Sequence, residues 1–170
     1  MNKQKGFSLI ELLIVVAIIL IIAAIAIPNL MRARMAANDS SAAGSVRTIN
    51  TAEIAYRDTY PTIGFPTTLA ILGGASPCTP GTATGCLVDN LLATASAGSG
   101  KSGYFFNAAG SNSSSSLIND EFYSTGTPIS SQTGTRAYCS VEDAVVRLQP
   151  SGTITLVASR GACQLLASMN

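Results

Sequence analysis

A single acidic residue stands inside a long apolar segment near the start of the chain. Glu11 is the fifth residue of the segment that starts at Phe7, and no side chain from Leu12 to Ile27 is polar. An acid at the centre of a membrane helix costs about 2.5 to 3.5 kcal/mol, so it indicates a function and requires a partner. We expect that partner to be an amine on another copy of the chain.

The apolar segment is long enough to cross a membrane once. Phe7 to Ile27 would form about 31 Å of helix at about 1.5 Å per residue, which matches the hydrocarbon thickness of a bilayer. Lys3 and Lys5 precede it, so we expect the first residues in the cytoplasm, lipid around the segment and the rest of the chain exported. An ordinary secretory signal has its small residue after the apolar stretch, whereas here Gly6 comes before it. A cut at Gly6 would leave the helix attached.

The following residues predict a continuation of the same helix. We expect Pro28 to interrupt or bend it, because proline removes a backbone donor and clashes with the preceding turn. Asn29 to Tyr60 contains no further proline. Apolar residues recur there at spacings of three and four, which predicts a face that packs on a sheet. This stripe consists of Val46, Ile49, Ala52, Tyr56 and Tyr60.

The rest of the chain predicts a small antiparallel sheet and an α+β fold class. Residues 61–103 form a connection rich in glycine, proline, serine and threonine, and residues 104–170 hold short strand-like segments separated by turns. A hairpin turn at residues 150–152 is expected to join the last two of four or five strands. The predicted strands are Tyr104–Phe106, Glu121–Ser124, Arg136–Ser140, Ala144–Leu148 and Thr153–Val157.

All four cysteines, Cys78, Cys86, Cys139 and Cys163, lie in the part expected to be exported. An even number in an oxidising compartment predicts two disulfides. Of the three possible pairings, we favour Cys78 with Cys86 and Cys139 with Cys163 because each closes a local loop. The crossed pairings stay open.

The sequence gives only weak signals for a metal site, a nucleotide-binding site or an enzyme. There is no histidine and the cysteine spacings match no zinc site, so we expect no metal and no cofactor. Residues 95–102 have the shape of a phosphate-binding loop, but a strand-like segment follows where that loop requires a helix. Lys101 and Ser102 lack an oxyanion site, so no enzyme is predicted. The acidic pairs Asp120-Glu121 and Glu142-Asp143 suit calcium, although solvated strand ends explain them more simply.

The charges do not indicate a nucleic-acid partner. The chain is 47% hydrophobic and only 11% charged, with a net charge of +1. The arginines on the predicted helix are Arg32, Arg34, Arg47 and Arg57. Lipid headgroups, or pairing with Asp39 and Glu53, explain them as well as DNA binding does.

The N-terminal residues resemble the class III signal of type IV pilins and type II secretion pseudopilins. The resemblance rests on Lys5-Gly6-Phe7-Ser8-Leu9-Ile10-Glu11-Leu12 and on an apolar run closed by Ile27-Pro28. Residues 134–138 and 144–147 are a weaker match to the C-terminal strands of those proteins. The resemblance implies the pilin fold, in which a protruding helix packs on a small antiparallel sheet.

The resemblance also implies processing and assembly. A prepilin peptidase would cut after Gly6 and methylate the amine of Phe7, Glu11 would be the assembly acid, and Pro28 would be the helix-breaking proline. The implied segments are a leader at 1–6, a membrane and polymerisation helix at 7–28, an amphipathic helix at 29–60 and an exported globular part at 61–170. A cytoplasmic ATPase and an inner-membrane platform would supply the energy of extraction.

The sequence therefore predicts a non-enzymatic structural subunit, held in the inner membrane as a prepilin and polymerised with itself into a surface pilus filament. A type II secretion pseudopilin, which would stay periplasmic, shares all of these residues and is an alternative. A more distant alternative is a bitopic membrane protein with a ligand-binding or enzymatic exported part, for which Glu11 would be incidental.

Overall fold

The computed structural model describes residues 7–96, 99–113, 116–149, 157 and 159–169. The chain splits into two compact units, Met1–Arg34 and Met35–Asn170, which are described separately; we call the second unit the head. Several predicted positions lie outside the described residues: Lys3, Lys5, Gly6, the turn at 150–152 and the predicted strand at 153–156.

In its described part, the first unit consists of the beginning of one long helix. Helix α1 runs from Leu9 to Thr59, 51 residues in all. Its most apolar window has a mean hydropathy of 3.3 and none of it is buried. Among the described residues this is the one helix long and apolar enough to cross a membrane, judged by length and composition.

Helix α1 continues through Pro28 without ending there. The helix is therefore not interrupted at this residue, and the alternative of a bend at Pro28 stays a prediction. Proline lacks the N–H that would bond to the carbonyl of Ala24, so one helical hydrogen bond is lost. A long helix on both sides tolerates that loss, because helix propagation is favourable once a nucleus exists.

In the head, the second part of α1 packs on the sheet through the predicted apolar stripe. Val46, Ile49, Ala52 and Tyr56 are buried, and Tyr60 is partly buried against the same core. The spacing of three and four residues places these side chains on one face of the helix. Aromatic residues of the sheet, such as Phe106, complete the core.

The head contains a five-stranded antiparallel sheet in the order β1-β2-β3-β4-β5, which confirms the α+β fold class. The strands are β1 (Tyr104–Ser111), β2 (Glu121–Pro128), β3 (Tyr138–Val141), β4 (Arg147–Leu148) and β5 (Ala167–Ser168). Three short helices, α2 (Leu69–Leu72), α3 (Asn90–Ala93) and α4 (Arg160–Gln164), lie in the connections.

Two strand predictions are wrong in detail. The segment Ala144–Leu148 is a strand only at Arg147–Leu148, because Ala144 has a φ of 58°, a left-handed conformation that does not fit a strand. The edge strand β5 was not predicted. Its two residues are exposed and carry no apolar alternation, so the sequence offered no periodic signal.

The two faces of the sheet have different partners. On one face, the Ser124 hydroxyl donates to Asn50 of α1 at 3.1 Å, so this face of β2 meets the long helix. On the other face, Cys139 and Val141 of β3 pack with Val157 and Cys163 in a second apolar cluster. The side chains of β3 thus alternate between the two faces.

Two disulfides connect parts of the head. One joins Cys78 to Cys86, eight residues apart, and the other joins Cys139 of β3 to Cys163 of α4, 24 residues apart. The expectation of disulfide-bonded cysteines is confirmed, and the pairing seen in the structure is the local one. The second bond holds α4 against the sheet face that lies opposite α1.

Candidate functional site

Glu11 lies in the first turn of α1 and caps the start of the helix. The backbone N–H of Ser8 donates to Glu11 Oε2 at 3.0 Å. The first turn of a helix has backbone donors without helical partners, and a carboxylate three residues after the cap satisfies one of them. The spacing of serine and glutamate by three residues was the sequence signal for this role, which the analysis of the sequence missed.

The charge of Glu11 has no counter-charge in the part of the chain that the structure describes. Its side chain is exposed, and none of the ion pairs among these residues includes it. Phe7, four residues before it, is 79% exposed at the described start of the chain. Gly6 lies outside the described residues, so cleavage after Gly6 stays a prediction from the sequence.

The surface around Glu11 is apolar on every side of the helix. Soluble proteins rarely expose apolar patches larger than a few hundred Å², and a helix that is apolar all round is normally covered by lipid or by other helices. The exposed large apolar residues are Leu9, Ile10, Leu12, Leu13, Ile14, Val15, Val16, Ile18, Ile19, Leu20, Ile21, Ile22, Ile25, Ile27, Leu30 and Met31.

Asn50 anchors the second part of α1 to the sheet. Its Nδ2 donates to the Ser140 hydroxyl of β3 at 2.7 Å, while its Oδ1 accepts from the Ser124 hydroxyl of β2 at 3.1 Å. All three side chains are buried. A buried polar network with both ends satisfied specifies one alignment of the helix on the sheet.

Asp39 makes a second anchor nearer the first unit. Its carboxylate accepts from the Tyr104 hydroxyl at 2.5 Å, and from the backbone N–H and side-chain hydroxyl of Thr135 at 3.2 and 2.8 Å. Burial, together with the hydrogen bond to Asp39, raises the pKa of Tyr104 above its ordinary value. The negative charge of Asp39 therefore serves the head and is not paired with an arginine.

Glu53 is completely buried on the same helix, and neither of its oxygens has a hydrogen-bond partner within the described residues. Burial raises the pKa of Glu53 from 4.5 to about 8. Pairing of Glu53 with an arginine, one of the explanations that the sequence allowed for the helix arginines, is not found among the described residues. Arg57, one turn later, bonds to Asp58 at 3.2 Å and lies over the Phe65 ring at 5.1 Å.

Comparison with known proteins shows what the N-terminal residues are similar to. Residues 1–27 match the family model described as the prokaryotic N-terminal methylation motif. The N-terminal segment is similar to those of type IV pilins. The chain is 65% identical over 40 residues to the "Type IV wide pilus major component PilA4" of Thermus thermophilus, covering 24% of this chain and 30% of that protein. It is 47% identical over 51 residues to the "Type IV major pilin protein PilA" of Myxococcus xanthus, covering 30% of this chain and 23% of that protein.

These pilin matches leave most of the head without a counterpart. The chain spans less than a third of the length of the curated relatives that it matches. No solved structure matches it. The pilin-like arrangement of a long helix and a small antiparallel sheet nevertheless agrees with the fold that the resemblance implied.

The acidic pairs of this pilin-like head are engaged by arginines and a serine. Arg160 bonds to Glu142 and lies 3.6 Å from Glu121, and Arg147 bonds to Asp143 at 2.5 Å. Asp120 accepts from the backbone and the hydroxyl of Ser113, each at 2.7 Å. The carboxylates expected to suit calcium are thus committed to other partners, and the described residues hold no group of three metal-ligating side chains.

The segment that resembles a phosphate-binding loop has a different role in the structure. Lys101 and Tyr104 exchange backbone hydrogen bonds of 2.9 and 3.0 Å across a tight turn, in which Ser102 and Gly103 have φ values of 51° and 75°. The turn leads into β1 and not into a helix. Lys101 Nζ lies 3.4 Å from Asp89, so its charge is already paired.

Proposed function

We propose that this chain is the structural subunit of a type IV pilus filament. It is inserted in the inner membrane as a prepilin, cleaved after Gly6, N-methylated at Phe7 and polymerised through α1. The observation that carries the proposal is the first-turn carboxylate of Glu11 at the start of an exposed apolar helix. The pilus components among its relatives support the same function.

Cleavage creates the partner that Glu11 lacks. A new ammonium group at Phe7 is as poorly placed in lipid as the carboxylate of Glu11 is, and methylation leaves its charge unchanged. When a neighbouring subunit brings the two groups together, the attraction in a low dielectric offsets both desolvation costs. The pair forms between copies, so it favours the filament over the single subunit.

The apolar part of α1 must also be covered once the subunit leaves the membrane. Bundling these helices at the centre of a filament buries side chains that each contribute about 1.5 to 3 kcal/mol. That burial replaces the lipid contacts, so extraction and return have similar free energies and assembly is reversible. The head, stapled by two disulfides, then lies on the outside of the filament.

The proposal divides the chain and names its partners. Residues 1–6 are the leader, 7–28 the membrane and polymerisation helix, 29–60 its amphipathic continuation and 61–170 the exported globular part. A prepilin peptidase removes the leader. Because this chain supplies no energy source for extraction, an assembly ATPase and an inner-membrane platform act on it.

Mass spectrometry of sheared filaments tests the proposal. Surface filaments from cells that express the chain are digested, and the peptides are searched for an N-terminus at methylated Phe7. An abundant methylated peptide in the filament fraction is the expected result. The same peptide confined to the cell envelope would instead support the periplasmic pseudopilin alternative, and an intact Met1 in the mature protein would support the bitopic alternative.

A further inference from the structure

Glu53 is the most unusual buried group in the head. Its exposed fraction is 0%, and within the described residues neither carboxyl oxygen has a hydrogen-bond partner. An ionised carboxylate in such a place is strongly disfavoured, whereas the neutral acid is tolerated at a much smaller cost. The interface can therefore hold this side chain tightly only while it carries a proton.

The contacts made by the two preceding turns of α1 indicate that Glu53 faces β2. Val46 lies against Gly126, where an added Cβ would come within 3.3 Å of the valine, and Asn50 bonds to Ser124, two residues earlier in β2. Each further turn of α1 therefore lies opposite a residue of β2 that is two positions closer to the start of the strand. On this alignment Glu53, which begins the next turn, lies towards the Phe122 end of β2.

An aromatic cover closes this end of the interface. The Phe65 and Phe122 rings are tilted at 48° with centroids 4.7 Å apart, and both side chains are buried. Arg57 lies over the outer face of Phe65, with its guanidinium carbon 5.1 Å from the ring centroid. The Phe65 N–H donates to the Asn119 carbonyl and Asn119 Nδ2 donates to the Phe65 carbonyl, so these two segments are held together at this end of the interface.

Among the sheet residues that the structure describes, no charged or titratable group is placed opposite Glu53. The groups that face α1 there are Phe122 and Ser124 of β2 and Ser140 of β3, and none of them ionises in the accessible pH range. The acids Glu121 of β2 and Glu142 after β3 are bound to Arg160, which begins α4. On α1 itself the neighbouring titratable groups are Tyr56 and Arg57, and on the following residues Tyr60.

We propose that the protonation state of Glu53 controls the docking of α1 on the sheet and makes this docking sensitive to pH. The neutral acid lets the interface close under the Phe65–Phe122 cover. Ionisation requires water or a cation at the carboxylate, and Arg57, one helical turn away, is the nearest cation that can leave the Phe65 ring to reach it. The head therefore loosens at the α1–β2 interface as pH rises.

The direction in which stability changes with pH follows from the pKa of Glu53 in the folded head and in the unfolded chain. Burial raises the pKa of Glu53 in the folded head to about 8, whereas the unfolded chain has the ordinary value of 4.5. Between these values the folded state binds more protons than the unfolded state, so stability falls as pH rises. The loss is absent below about pH 4.5 and complete above about pH 8.

The experiment uses the full chain in detergent micelles, because the head has not been separated from its helix. All five tyrosines lie between residues 56 and 138, so near-ultraviolet circular dichroism follows the head alone. The thermal midpoint is expected to fall by about 4 °C per pH unit between pH 5 and 8 in the unaltered chain. In the Glu53→Gln variant the midpoint is expected to be almost constant over this range.

The matched control is Glu121→Gln, which removes an ion-paired acid on the same sheet and should retain the pH dependence of the unaltered chain. Carbon-13 NMR of carboxyl-labelled glutamate should show one signal with a midpoint near pH 8 that Glu53→Gln removes. If Glu53→Gln does not fold, Glu53→Met serves in its place. Parallel pH profiles of the unaltered chain and the Glu53 variant, or titration of every glutamate signal below pH 6, would overturn the proposal.

Discussion

Asn50 and Ser140 are joined by a 2.7 Å hydrogen bond across the buried interface between α1 and β3, although 90 residues separate them in the chain. The same Asn50 side chain accepts from Ser124 of the neighbouring strand. One amide thus ties the helix to two adjacent strands at once. All three residues are buried, and the Ser140 hydroxyl also donates to the Val145 carbonyl at 3.0 Å.

Replacing Asn50 with alanine should lower the free energy of unfolding of the head by about 2 to 3 kcal/mol, because the buried Ser124 hydroxyl loses its acceptor and the Ser140 hydroxyl loses a donor, keeping its bond to the Val145 carbonyl. Urea denaturation in detergent, followed by near-ultraviolet circular dichroism at pH 5.5, measures this change. Thr51→Ala is the matched control: its exposed hydroxyl bonds only to the carbonyl of Arg47, so the expected change is within about 0.5 kcal/mol. Equal stabilities of the two variants would contradict the anchoring role.

Tyr104→Phe should cost about 1 to 2 kcal/mol of unfolding free energy, because the phenolic hydrogen bond to Asp39 is lost while Thr135 still satisfies the carboxylate. The same denaturation assay applies. Tyr60→Phe, at the end of α1, is the control, with an expected change within about 0.5 kcal/mol. A Tyr104 variant as stable as its control would show that Asp39 does not hold β1 to the helix.

The two disulfides should differ in what they contribute to stability. A bridge that closes a longer loop removes more entropy from the unfolded chain, and the separations are 24 residues for Cys139–Cys163 and eight for Cys78–Cys86. Replacing the first pair by serine should therefore destabilise the head by about 1 kcal/mol more than replacing the second pair. Thermal unfolding of the two double variants checks which disulfide contributes more stability. A larger contribution from Cys78–Cys86 would mean that packing of α4 does not depend on its link to β3.

Two variants of Glu11 separate its charge from its capping bond. Glutamine at this position can still accept from the Ser8 N–H but carries no charge, whereas alanine loses both. If the pairing between subunits carries assembly, both variants should insert and be cleaved but yield few filaments, because an unpaired buried charge costs about 3 to 5 kcal/mol. The ratio of sheared filament protein to cleaved membrane protein measures this yield. A normal yield of filaments from Glu11→Gln would mean that Glu11 acts only by capping the start of α1.

Most of the secondary structure was accessible from periodic patterns. The stripe from Val46 to Tyr56 predicted the buried face of α1, because a spacing of three and four residues has one structural meaning in a helix of this length. The bounds of β4 and the existence of β5 were not accessible, because two residues cannot show an alternation. Their pairing is decided by the turn at Ala144 and by α4, which bring distant segments together.

The partners of the charged residues were the least predictable feature. Neighbouring positions on α1 suggested pairs between arginines and Asp39 or Glu53, since residues on adjacent helical turns approach each other. The structure instead gives Asp39 to Tyr104 and Thr135, and it leaves both oxygens of Glu53 without a hydrogen-bond partner among the described residues. Partners that lie 65 and 96 residues away leave no local pattern in the sequence.

The apolar N-terminal segment, the acid within it and the start of the helix follow from the sequence, because they depend on composition and on contacts over three or four residues. Tertiary packing selects the side chains that hold α1 to the sheet and the carboxyl group that is left without a hydrogen-bond partner among the described residues. Those outcomes depend on how a helix and a sheet face are aligned over many residues, and a shift of one residue in β2 would turn Ser124 away from Asn50.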